Sequence, residues 1–155
     1  MDASAKNKPV FLVFGIVAAA LVTIAIAKRD TISDLILKGG DVSLVGEPAK
    51  ASPQAKLAMD FLAALRAADM ATLNQLSTAE QAADLQKEAA QPTPEAQEMK
   101  TMMLADLPAE PAALREIIKG VQVHKSKGVV TFETKSNTWM ILMDDVNGAW
   151  KVSDF

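Results

Sequence analysis

Met99, Met102 and Met103 place three thioethers at i, i+3 and i+4, which would gather soft sulfur on one helix face and could hold Cu(I). The same spacing also makes an adaptable apolar stripe. With Leu107 and Leu114 close by in sequence, a core role is the stronger reading. His124, the single histidine, alternates with Val121 and Val123, so a sheet that buries the valines turns it to the other face, among Lys119, Lys125 and Lys127. No carboxylate stands at a motif spacing from it, and the expectation is a surface histidine rather than a general base. Glu95 with Glu98, or Asp144 with Asp145, could meet a hard cation, but neither pair has the spacing of a calcium loop. A helix start and a hairpin turn account for them. The absence of cysteine excludes disulfides and thiol chemistry. The reading is therefore a protein that is not an enzyme, with no catalytic residue, no cofactor and no metal.

The elements that would carry such residues begin behind an apolar run. Residues 9–27, PVFLVFGIVAAALVTIAIA, hold no charge and reach roughly 28 Å as a helix. That matches a bilayer core. A cleaved signal peptide is the rival, since Lys6 and Lys8 precede the run and Ala25-Ile26-Ala27 has a small-x-small form. The length of the run and Lys28-Arg29 directly after it favour an uncleaved anchor. Basic residues on the two sides are nearly balanced, so they do not fix the orientation. The whole chain has 16 Lys+Arg against 19 Asp+Glu, a balance that argues against a nucleic-acid partner. The organisation expected is a tail over 1–8, a transmembrane helix over 9–27, a juxtamembrane helix and linker over 28–51, and one domain over 52–155.

Within that domain Ser52 and Pro53 open a helix in which Leu57, Phe61 and Leu65 recur, with Lys56 and Asp60 as an i,i+4 pair. Asp69 caps a second helix, Ser77 to Glu80 reads as a capping box for a third, and Thr93-Pro94 starts a fourth. A last short helical segment ends at Gly120. After Gly120 the period changes to two. Val121 and Val123, then Val130 to Thr134, then Trp139 to Met143, then Ala149 to Phe155 read as four strands, with Asn147-Gly148 as the last turn. Helices first and strands last give an α+β class, with helices packed on a four-stranded antiparallel sheet.

Two phrases carry a family resemblance. Residues 52–78, SPQAKLAMDFLAALRAADMATLNQLST, resemble the opening of the nuclear transport factor 2-like superfamily, and the ending GAWKVSDF resembles its closing strand. The resemblance covers Ser52 to Phe155 and implies a curved sheet wrapped by helices into a cone-like roll, which can be an enzyme pocket, a ligand cavity or a packed core. Enzymes of that superfamily place Asp, His and Tyr inside the cone, whereas this chain has no tyrosine and one histidine. Small anchored envelope proteins are the subgroup it resembles. That implies a bacterial inner membrane location, single-pass, with the domain in the periplasm.

Two sets of residues suit contacts with other chains. Gly15, Ala19, Thr23 and Ala27 recur every four residues and give the span a small-residue face for a membrane protein partner in the lipid bilayer. The strand from Trp139 to Met143 is apolar on both faces, and helices can cover only one of them. Trp139, Ile141 and Met143 are expected at the second face, which lines a cone interior or meets a partner or a second copy in a homodimer, while Trp150 is expected on the helix-covered face against Phe61 or Leu65. The functional expectation is an accessory, scaffold or assembly subunit of a membrane-associated complex. The alternatives are a small apolar ligand in the cone and, behind it, Cu(I) handling by Met99, Met102 and Met103.

Overall fold

The computed structural model describes residues 42–155. The tail 1–8, the span 9–27 with Gly15, Ala19, Thr23 and Ala27, and residues 28–41 lie outside the described residues. Among the described residues no helix is long and apolar enough to cross a membrane.

The order is β1 (Val42–Val45), α1 (Glu47–Lys50), α2 (Pro53–Ala67), α3 (Met70–Leu76), α4 (Ala79–Ala90), α5 (Pro94–Asp106), α6 (Pro111–Glu116), then β2 (Ile118–His124), β3 (Lys127–Glu133), β4 (Thr138–Val146) and β5 (Ala149–Asp154). The class is α+β, and the strands form one antiparallel sheet in the order β1-β2-β3-β4-β5. Five strands replace the four expected. The additional one, β1, comes from the segment read as linker, and Leu44 sits opposite Val121. Four residues ahead of Gly46 and Pro48 are too few to show a strand period, so pairing with β2 decides their conformation.

Local chemistry sets most helix starts. The Ser52 hydroxyl accepts from the Ala55 amide at 3.1 Å, and Pro53 fills the first turn of α2. Asp69 caps α3 through the Thr72 amide at 3.1 Å, and Thr93 caps α5 through the Ala96 amide at 3.4 Å. Two boundaries differ from expectation. The cap of α4 is Thr78, accepting from the Gln81 amide at 3.2 Å, because Ser77 is drawn into a parallel bridge with Val152 and is buried. Gly120 does not end a helix but lies inside β2, which begins at Ile118.

Helix α2 holds the core. Ala55, Ala58, Phe61, Leu62 and Leu65 are buried on it, and the helix packs against β2, β3 and β5. The two alanines let the backbone approach the sheet, and the larger side chains fill the space that remains. Leu57, expected in the stripe, is only half-buried, while Leu62 is fully buried. From the strands, Ile118, Val121, Val130, Phe132, Ile141, Met143 and Val152 complete this core. The registers place all of them on one sheet face. A shift at Lys119 keeps Ile118 opposite Phe132, so the bulge preserves the buried pattern.

Trp150 shares the helix-covered face, two residues from Val152, and is half-buried against the core. Its ring lies over Gly128, where a Cβ would stand 3.1 Å from it, so glycine leaves the room that the indole occupies. The aromatic partner of Phe61 is Phe155, with ring centroids 5.1 Å apart. The turn before β5 forms as expected. Asn147 and Gly148 both take positive φ, 57° and 85°, and Asp145 accepts from the Gly148 amide at 2.7 Å.

Candidate functional site

The strand alternation that buries one face of the sheet presents the other. On that second face Val129 of β3 stands between Gln122 of β2 and Leu142 of β4, and the next pair along is Thr131 with Met140. Val129 is 2 % exposed, and it stands apart from the core cluster beneath the helices. Met140 and Leu142 are half-buried. Salt bridges close both ends of this strip, Lys127 with Asp144 at 2.7 Å and Lys119 with Glu133 at 2.8 Å. An apolar centre inside a charged rim is the anatomy of a protein-binding surface.

One polar atom in the strip has an unmet need. The side-chain oxygen of Gln122 is buried and has no hydrogen-bond partner among the described residues. An orphaned buried acceptor carries a desolvation cost of about 1 to 3 kcal/mol.

The residues expected at this face are not the ones that occupy it. Ile141 and Met143 are 0 % and 1 % exposed and belong to the core beneath the helices. Trp139 shares their face and is half-buried. The interaction role expected of Trp139, Ile141 and Met143 is therefore corrected by one residue of strand parity. Periodicity identifies two alternating sets in a wholly apolar strand but does not say which set the helices will cover.

Trp139 has a different task. Its indole N–H donates to Asp106 at 2.6 Å, and the same carboxylate oxygen accepts from the Thr134 hydroxyl at 2.7 Å and the Asn137 amide at 3.1 Å. The indole bond first, then those from Thr134 and Asn137, holds the Asp106 carboxyl below its ordinary value. Arg66 adds a bond to the Leu107 carbonyl at 2.6 Å, so both ends of the Asp106-Leu107 step are tied down. Sequence reading missed Asp106. A tryptophan on a part-buried strand announces that its N–H needs an acceptor, but nothing in the spacing names a residue on α5.

The methionines are divided. Met103 is 3 % exposed and lies in the core, whereas Met99 and Met102 are 56 % and 47 % exposed. Three thioethers of such different exposure do not present one ligand set. Among the described residues no group of three or more His, Asp or Glu is arranged to hold a metal ion. His124 is half-buried beside the β2–β3 turn, opposite Lys127, rather than fully at the surface. Asp144 serves the rim salt bridge and Asp145 the hairpin turn. Glu95 and Glu98 are exposed on α5.

A cleft of about 90 Å³ lies on the helical side, lined by Met59, Asp60, Arg66, Pro111 and Leu114 among others. Pockets that enclose small organic ligands run from about 300 Å³ upward, so this one is undersized for such a molecule.

No family model, no curated protein and no solved structure matches this chain.

Proposed function

We propose that this protein is a non-catalytic accessory or assembly subunit of a membrane-associated complex. In this reading residues 9–27 anchor it in a bacterial inner membrane, and a nuclear transport factor 2-like roll stands on the periplasmic side. The strip of Met140 and Leu142 receives another subunit. The observation that carries the reading is the pair Met140 and Leu142, half-buried on the sheet face opposite the core and edged by the Lys127–Asp144 and Lys119–Glu133 salt bridges.

The test substitutes Met140→Lys and Leu142→Lys together in the full chain, followed by extraction in mild detergent and identification of co-purifying chains. A lost partner with an unchanged thermal melt is the expected result. An unchanged set of partners would overturn the reading of this face, and recovery of only a second copy would identify the complex as a homodimer. Protease added to sealed spheroplasts should digest the domain; protection would place it on the cytoplasmic side.

A further inference from the structure

Helix α5 carries a stripe that the core does not use. Glu95, Glu98, Met99 and Met102 fall at i, i+3, i+4 and i+7, so they line one side of the helix, and all four are exposed. Only Met103 on this helix is buried. Met99 and Met102 are two of the large apolar side chains that the described residues leave most exposed. Unbranched thioethers adapt to differently shaped partners, which is why such surfaces use them.

The charges give the occupant its character. Residues 79–106, which make up α4 and α5, hold six carboxylates and two lysines. Lys100 is already joined to Glu88 at 3.1 Å, while among the described residues Glu95 and Glu98 have no ion-pair partner. An anionic lipid surface is repelled by this arrangement. A helix with lysine or arginine at one end of its contact face and leucine-like residues at the other is complementary to it: cations meet Glu95 and Glu98, and the apolar turn meets Met99 and Met102. We propose that the Glu95-Glu98-Met99-Met102 stripe of α5 docks a basic amphipathic helix of another protein. This surface lies on a helix, separate from the sheet strip, and would give an accessory subunit two contacts of different chemistry.

The probe is a synthetic amphipathic peptide of about 18 leucine and lysine residues with a central benzophenone, long enough to cover the stripe. Its control carries glutamate in place of every lysine. The full chain in a nonionic detergent is photolysed with each peptide, and the labelled residues are mapped by mass spectrometry. Peptide taken up by micelles is the same for every variant and cancels in the comparison. The expected result is labelling by the basic peptide at Met99 or Met102, reduced about five- to tenfold in the Glu95→Gln/Glu98→Gln variant, as two exposed ion pairs would give. Thermal melts of the two proteins should coincide, since both glutamates are exposed. Equal labelling by the two peptides, labelling confined to other elements, or undiminished labelling of the variant would each overturn the proposal. Because none of these readouts depends on Met140 or Leu142, the proposal fails or stands separately from the sheet strip.

Discussion

Helices α2 and α5 start alike and end up with opposite occupations. Each has a hydroxyl cap followed by proline, Ser52-Pro53 and Thr93-Pro94, and they run for 15 and 13 residues. Helix α2 buries seven of its residues, and α5 buries one. The first is held by apolar contact with the sheet. The second has one core side chain, Met103, and is otherwise held by directional ties: Asp106 to Trp139 and the β3–β4 turn, Lys100 to Glu88, and Arg66 to the carbonyl that follows the helix. Polar ties at a surface compete with water and stabilise little, whereas removing apolar area from water is the main stabilising term. The difference shows how one small domain can assign stability to one helix and leave another available for recognition.

The largest effect should come from the core of α2. Phe61→Ala, at a fully buried ring, is expected to cost about 3 to 5 kcal/mol in denaturant unfolding, a large part of the stability of a domain this size. Met102→Ala on the exposed side of α5 should change it by no more than about 0.5 kcal/mol. Equal costs would break the contrast between the two helices.

A smaller effect sharpens what holds α5. The Asp106 carboxyl titrates below its ordinary value of 3.8 because the folded state donates to its charged form, led by the Trp139 indole. Its contribution is thus present above the ordinary carboxylate range and is lost as pH falls through the lowered folded value. Trp139 emission, read in a Trp150→Phe background, should change below pH 3.8, and Asp106→Asn should abolish that transition. A midpoint at or above the ordinary value would show that the carboxylate is not held by these donors.

The smallest effect lies at the end of α2. Ala68 closes that helix in the left-handed region at φ 52°, where a side chain is strained and glycine is not. Ala68→Gly should therefore raise stability by about 0.5 to 1 kcal/mol, less any added freedom of the unfolded chain. A loss would mean that the αL conformation is not the one populated in solution.

How much of this could be read beforehand follows from the range of the interactions. The caps at Ser52, Asp69 and Thr93, the Lys56-Asp60 pair and the Asn147-Gly148 turn all join residues within four positions, and each is found where the sequence placed it. The misreadings involve partners far along the chain. Ser77 looked like a cap until Val152 claimed it, Val42 to Val45 looked like linker until β2 paired with it, and Gly120 looked like a helix end although it belongs to that same strand. The candidate site was half legible. That the Trp139 to Met143 strand has an apolar second face follows from its composition, but the residues on that face are Met140 and Leu142.

The sequence by itself determined the α+β class, the order of helices before strands and most of the helix starts. It did so because hydrophobic period and capping are local properties, set by neighbours within a turn or a strand. Tertiary structure alone decided the fifth strand, the parity of β4 and the meeting of Asp106 with Trp139, and it left Met99 exposed while burying Met103. The parity of β4 depends on which of two equally apolar faces the α2 helix covers and the others on contacts between segments far apart in the chain, so none is decided until distant elements meet.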